Sequence, residues 1–311
     1  MYIELYLRGG LGNQLYQYAY ARFLQKNNKI SKLLINTYDY KKYKLRNVEL
    51  SNFALSSDVE FTNRISVKDL FIKKLFHVLF YVKDKIAFNR PEVHLFSFLG
   101  KKYLCSIEDT VTDIEKINCD LFLYGYFADT FYPVKMHKIL MNDMVYKGNQ
   151  SVLFHNLKDK INSSYSIGVS IRVASDYIDN NWPICSEKFY YSGINLLLNL
   201  NNKDKNTIIY IFADDIEYVK KNHWFSKYKN VTYISGLSVS ESFELLRTCS
   251  SYVCSNSSFS WWGAFLSYNQ KKTTILPDIT FEERYKKYNE KLFLKDAIYL
   301  DHISGEKIRT E

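Results

Sequence analysis

The chain has 311 residues, of which 47% are hydrophobic, and a formal net charge of +9. That apolar content supports packed cores and excludes a disordered protein, and the length suits one large domain or two of ordinary size. Lys and Arg are dispersed rather than clustered, which reads as a solvated basic surface and argues against a nucleic-acid binder.

In chain order, Tyr2–Leu7 reads as a strand, Arg8–Gln14 as a turn, and Leu15–Lys26 as a helix, with a second strand near Leu33–Ile35. Positions 40 to 110 are less regular. They hold one helix candidate, Leu70–Val82, whose basic and aromatic pattern fits either a core-facing helix or one lying on a membrane surface. Leu121–Tyr124 reads as a strand ending at Gly125. The polar stretch Asn149–Ser164 predicts a domain boundary, giving domains 1–155 and 156–311. Beyond it come strand Ile167–Ile171, helix Glu187–Leu198, strand Thr207–Phe212, a helix from Ile216, and strand Val231–Ile234. Ser240 is expected to cap helix Glu241–Thr248. Strand Tyr252–Cys254, a helix through Leu266 and strand Thr273–Leu276 close the series. Five strands joined by four helices predict a doubly wound α/β domain.

No apolar run approaches the ~20 residues of a spanning helix, and nothing at the start reads as a signal peptide. Five cysteines, an odd number with no CxxC pair, fit a reducing compartment. The six histidines form no HExxH or HxH, so a protein-built metal site is not expected.

In open α/β sheets ligands bind at the carboxyl ends of strands, and the unusual polar clusters fall there. SNSSFSWWGAFL (Ser255–Leu266) joins a strand to a helix. Ser and Asn cap helix N-termini, whose N–H groups and dipole seat phosphates, yet one such residue suffices for a cap. The plain alternative is a capped core helix with Trp261 and Trp262 as packing. GGLGNQLYQYA (Gly9–Ala19) also joins strand to helix but meets neither GxGxxG nor GxxxxGK[ST]. Its glycines can serve a tight turn and Gln17 a helix surface, or Asn13 and Gln14 can aim amides across a cleft. In SIRVASDY, Arg172 follows a buried strand. It can fork two hydrogen bonds onto a diphosphate or pair with Asp176. FADD (Phe212–Asp215) reads as a helix cap, a DxD-like metal site, or a carboxylate for a guanine edge.

With these motifs in order, and with GYF at Gly125–Phe127, the chain resembles the bacterial α-1,2-fucosyltransferases that use GDP-fucose, glycosyltransferase family 11. The resemblance implies a GT-B fold of two Rossmann-like doubly wound domains facing a cleft, acceptor side first and GDP-sugar side second. It implies metal-independent, inverting transfer of L-fucose to a galactose O2, with no cofactor. Arg172 is then expected to stabilise the departing diphosphate. Asn13 is expected to organise it from the other domain, and Asp176 to act as base or to orient Arg172. Gly10, Gly12, Ser170, Asp214, Asn256, Ser257, Ser258 and Phe259 are expected to bind the donor, Asp214 on guanine.

The family's HxRRxD motif is altered here. Ser170 stands at the His position, Val173 at the second Arg, and one extra residue precedes Asp176; GYFQS becomes GYFAD at Ala128 and Asp129. A related GDP-deoxy sugar such as colitose, and a silent nucleotide-sugar-binding protein, therefore remain alternatives. The expected setting is surface-polysaccharide assembly (O-antigen or capsule) in the cytoplasm at the inner face of the plasma membrane, with an oligosaccharide or lipid-linked acceptor.

Overall fold

The computed structural model describes residues 1–41, 46–86, 94–106, 117–173, 182–201, 206–279 and 292–308. The chain divides into two compact α/β units, Met1–Val145 and Tyr146–Glu311. Within the polar stretch expected to be a boundary lies a helix, α4 (Val152–Asn162), capped by Ser151 and belonging to the second unit.

Among its described residues the first unit has six strands: β1 (Tyr2–Tyr6), β2 (Lys32–Asn36), β3 (Val59–Thr62), β4 (His94–Phe98), β5 (Lys101–Cys105) and β6 (Asp120–Tyr124). They lie in the order β3-β2-β1-β6-β5-β4, parallel except for β4, which forms a hairpin with β5. Leu99 and Gly100 at its turn both have positive φ, the conformation that matches the twist of tight hairpins. Strands β3, β4 and β5 were not expected from the sequence; their short, mixed-polarity runs carry little periodic signal.

Helix α1 (Leu11–Asn27) starts earlier than expected, because its cap is Gly10, which has no side chain to announce it. Helix α2 (Val67–Ile86) sets Ile72 and Phe76 against Tyr6, Tyr103, Phe122 and Tyr124 of the sheet. Helix α3 (Phe131–Asp143) sets Tyr132 edge-on to Tyr20 of α1, ring centroids 4.7 Å apart.

The strands described in the second unit pair in parallel with one another: β7 (Tyr165–Ile171), β8 (Thr207–Ala213), β9 (Val231–Ile234), β10 (Ser251–Cys254), β11 (Thr274–Pro277) and β12 (Ile298–Leu300). The order β9-β8-β7-β10-β11-β12 is the doubly wound pattern, with its switch point between β7 and β10. Strand β12, three residues long, is a sixth member that the five-strand expectation lacked. From Ser166 to Ile171 every residue of β7 is buried, as a central parallel strand covered on both faces requires.

The crossover helices are α5 (Glu187–Leu200), α6 (Ile216–Lys221), α7 (Val239–Thr248) and α8 (Ser258–Phe265). The cap of α7 is Ser238, not Ser240: Ser238 and Glu241 form a reciprocal capping box, while Ser240 is fully buried. Arg247 at the end of α7 is also fully buried. Its Nε donates to the Leu266 carbonyl at 2.9 Å and its Nη1 lies 3.2 Å from Glu244, so the turn after α8 is fastened to α7.

Candidate active site

Strand register assembles the site in the second unit. Ile171 pairs with Ala213, and Ser170 pairs with Cys254 on the other side. One and two residues further on, Arg172, Asp214 and Asn256 therefore leave three neighbouring strands at the same level, at the switch point. This is where a parallel sheet splays its loops apart.

Arg172 Nη1 lies 2.9 Å from Asp214 Oδ2, with both side chains about four-fifths buried. The other oxygen, Oδ1, accepts the Val173 N–H at 2.9 Å and the Asp215 N–H at 3.1 Å. Asp214 is thus a clamp that orients Arg172 and closes the β7 loop onto β8. Asp215 caps α6 by accepting the Tyr218 N–H at 2.8 Å. Of the readings open for FADD, Asp215 takes the cap, and Asp214 is bonded to Arg172 and backbone amides. The sequence offered Asp176 as the partner of Arg172; Asp176 lies outside the described residues.

The serine-rich turn divides its labour. Asn256 is buried and donates to the Pro183 carbonyl at 2.5 Å, with the Cys185 thiol 3.9 Å from its oxygen. Burial pushes that thiol up to about 12, which favours the neutral form over the reactive thiolate. Ser255 and Ser260 hydroxyls meet at 3.0 Å, and Ser260 lies 3.1 Å from the Ser257 carbonyl. Ser257 is the N-cap of α8, accepting the Phe259 N–H at 3.3 Å. Phe259 packs edge-on against Phe243. Ser257 and Ser258 are half-buried at the start of α8, where the helix dipole is positive. Trp261 and Trp262 are packing residues: Trp262 is fully buried, and Trp261 Nε1 donates to the Leu292 carbonyl. Ser170 is buried within β7.

The first unit places its glycine turn at the equivalent switch point, between β1 and β6. Gly9 has φ +73, a conformation in which any other side chain is strained, and a Cβ there would come within 2.9 Å of Asn13 Nδ2, which would have to shift. Gly10 caps α1, Gly12 is buried in its first turn, and Asn13 stands half-buried on that turn.

Gln14 does not aim outward. Fully buried, its Nε2 lies 2.7–3.0 Å from Gly9 O, Tyr40 OH and Asn47 O, and its Oε1 accepts the Glu49 and Leu50 N–H groups. Gln17, read as a helix-surface residue, is likewise fully buried. It accepts from Arg8 N–H at 3.0 Å and donates to Arg8 C=O at 2.8 Å, pairing as a strand neighbour would.

That grip presents a residue the motif reading passed over. The Arg8 guanidinium stacks on Tyr124 and Tyr126, 4.9 Å and 5.1 Å from the ring centroids. It makes no ion pair with a carboxylate among the described residues. Burial works against its charge, but Tyr126, Tyr124 and Asp39 raise its pKa overall. GYF explains itself here. A Cβ on Gly125 would fall 2.2 Å from the Ser106 carbonyl, Tyr126 supplies a ring to Arg8, and Phe127 is buried at φ +53. The signal available in the sequence was an arginine at a strand end directly before GG.

Among the described residues, one group of three possible metal-ligating side chains lies together: Asp278, Asp301 and His302, after β11 and β12. The Asp278–His302 contact is 2.8 Å, and Asp301 accepts the Ile303 and Ser304 N–H groups. It stands away from the β7–β10 switch point in strand order.

Residues 2–301 match the family described as Glycosyl transferase family 11. The chain belongs to that family. It is 30% identical over 290 residues to an α-1,2-colitosyltransferase of Escherichia coli, covering 89% of this chain and 91% of the relative. It is 23% identical to the O-antigen biosynthesis glycosyltransferase WbnK of the same organism, over 87% of this chain and 92% of that one. Its fold is similar to that of the fucosyltransferase NodZ from Bradyrhizobium (TM-score 0.50, 12% identity, 86% of this chain and 92% of that one). It is also similar to an Arabidopsis thaliana FUT1 mutant in complex with GDP (TM-score 0.51, 13% identity, 91% and 71%). The family 11 chain is a glycosyltransferase of GT-B type, with one Rossmann-like parallel domain and one mixed α/β domain. No helix among the described residues is long and apolar enough to cross a membrane.

Proposed function

We propose that this family 11 glycosyltransferase moves a 6-deoxyhexose-type sugar from a GDP-linked donor to a hydroxyl of a glycan acceptor, with inversion, in O-antigen or related surface-polysaccharide synthesis. The observation that carries this reading is the Arg172–Asp214 pair beside the N-terminus of α8 at the switch point of the second sheet. Breaking the anomeric bond leaves negative charge on a nucleoside diphosphate. A pre-oriented guanidinium and a helix N-terminus stabilise that charge without reorganising during the reaction. Asp214 acts on this chemistry by holding Arg172. Asn13 and the Gly10–Gly12 turn supply donors on the first domain, and Arg8 with Tyr126 offers a cation and a ring suited to a sugar face. The transition state has oxocarbenium character, so a weak base such as Asp176 suffices.

L-fucose to galactose O2 is the first specific form of this reading. The similarity to a colitosyltransferase favours colitose as the second. Purified protein is to be incubated with GDP-fucose or GDP-colitose, galactose-terminated acceptors and EDTA, following GDP release and product mass. A product from either donor in EDTA supports transfer without metal and selects the sugar. Product formed only after adding Mg²⁺ or Mn²⁺ would restore the DxD reading of Asp214 and Asp215. Binding of neither donor would overturn the proposal.

A further inference from the structure

Helix α2 is apolar on two opposite faces. Inward, Ile72 and Phe76 join the sheet core, and Phe76 stacks on Phe96 with centroids 5.3 Å apart. Asp69, the acidic residue of its first turn, is buried and bonded to Ser66, Tyr103 and Lys101. Outward, Val67 (86% exposed), Phe71 (61%), Leu75 and Val78 recur every three or four residues, which lines them up on the side of the helix away from the core. The β4–β5 turn extends this surface: Lys68 Nζ donates to the Leu99 carbonyl at 3.2 Å, and the Leu99 side chain is 74% exposed. A surface helix in water normally turns polar residues outward, so a continuous exposed stripe needs a covering partner.

Charge selects that partner. At 100° per residue, Lys68 and Lys74 fall on the two flanks of the stripe, and Arg64 and His77 are exposed nearby in the chain. The helix carries five lysines against two aspartates. A second copy meeting this face about a two-fold axis would set lysine against lysine. A lipid surface with anionic headgroups takes the apolar stripe into the acyl boundary and the flanking lysines onto phosphates.

We infer that the outer face of α2, with Leu99, docks this protein on an anionic membrane surface. The inference goes beyond the transfer reaction and stands on residues that the proposed reaction does not use. The test is co-sedimentation of the full chain with vesicles of equal parts phosphatidylglycerol and phosphatidylcholine, or of phosphatidylcholine alone. The variants are Phe71→Ser with Leu75→Ser, and Lys68→Gln with Lys74→Gln. The unaltered chain should pellet with anionic vesicles and far less with neutral ones. The apolar variant should lose about tenfold or more in partitioning, and the lysine variant several-fold, with transfer to a soluble acceptor unchanged in both. Absence of pelleting, equal pelleting by the apolar variant, or no preference for anionic lipid would overturn the inference. So would a dimer in sedimentation velocity that Phe71→Ser with Leu75→Ser dissolves, which would assign the face to a second copy.

Discussion

In the first domain the turn leaving the central strand, Arg8 to Asn13, is fastened by the amides of Gln14 and Gln17. In the second, the turn from Ser255 to Ser258 is fastened by hydroxyls and the Asn256 amide. Both turns sit at a switch point, and in both most of the polar side chains face inward. A motif crowded with Asn, Gln and Ser at a strand end is therefore mainly a scaffold. Gln14 and Gln17 shape the loop that exposes Asn13 and Arg8; Ser255, Asn256 and Ser260 shape the loop that exposes Ser257 and Ser258. The difference lies in what reaches: amides of Gln14 and Gln17 hold the first turn, whereas in the second the Ser255 and Ser260 hydroxyls tie the turn to itself and the Asn256 amide alone of these reaches another loop, at Pro183.

That difference predicts unequal costs. Gln14→Ala leaves the buried N–H groups of Glu49 and Leu50 and the Asn47 carbonyl without their partner. The expected cost is about 3–5 kcal/mol, since each orphaned buried group costs roughly 1–3. Denaturant unfolding should show an earlier transition for the first domain and an unshifted one for the second. A change below ~1 kcal/mol would mean that water replaces the amide.

Next in size, Arg172→Ala should lower turnover by about 10²–10³ with both unfolding transitions intact, the loss typical of one preorganised charge-stabilising donor. Asp214→Asn should lower turnover less, by roughly tenfold, and add little in the Arg172→Ala background, because the clamp then has nothing to orient. Additive losses in the double variant would instead give Asp214 a contact of its own with the donor.

The second sheet was largely legible in the sequence. Its strands are continuous apolar runs such as Ser166–Ile171 and Thr207–Ala213, each followed by a polar cluster, and the carboxyl-edge rule then drew Arg172, Asp214 and Asn256 together. The pairing within that edge was not legible, because the register that sets Asp214 opposite Arg172 comes from β7–β8 alignment. Inward-facing amides were misread for a related reason: Gln14 and Gln17 are polar by composition, and only the fold shows that both side chains are fully buried with their amides hydrogen-bonded. Arg8 was passed over because its worth depends on Tyr126, more than a hundred residues away in the chain.

Acid should loosen both domains, each through a carboxylate of its own. In the first, burial pushes Asp69 up, but bonds from Ser66, Tyr103 and Lys101 more than offset it, so its pKa is lowered below 3.8. In the second, burial likewise opposes the Glu241 charge, yet the Ser151 and Ser238 amides lower its pKa below 4.5. A depressed carboxylate stabilises the fold above its unfolded pKa and loses that contribution as pH falls through the folded value. Both domains should therefore hold constant from neutrality to about pH 5 and weaken below about pH 4. Asp69→Asn should flatten this acid limb in the first domain only, read by the unfolding midpoints against pH. Equal flattening in both would mean that the limb belongs to shared net charge.

The smallest effect separates scaffold from site within a single turn. Ser257 caps α8, so Ser257→Ala should cost about 1 kcal/mol of stability in the second domain, the usual loss for an N-cap. Ser258 is the first residue of the helix and Ser257 supplies its cap, so Ser258→Ala should move the unfolding midpoint less than Ser257→Ala does. If the helix start seats a diphosphate, Ser258→Ala should weaken GDP binding by a few-fold, measured by calorimetry, and Ser257→Ala should weaken it only as far as the helix end frays. The reverse pattern, with Ser258→Ala silent in both readouts, would leave Arg172 and the backbone N–H groups as the whole of the anion seat. The serines would then be scaffold throughout, as the amides of the first domain are.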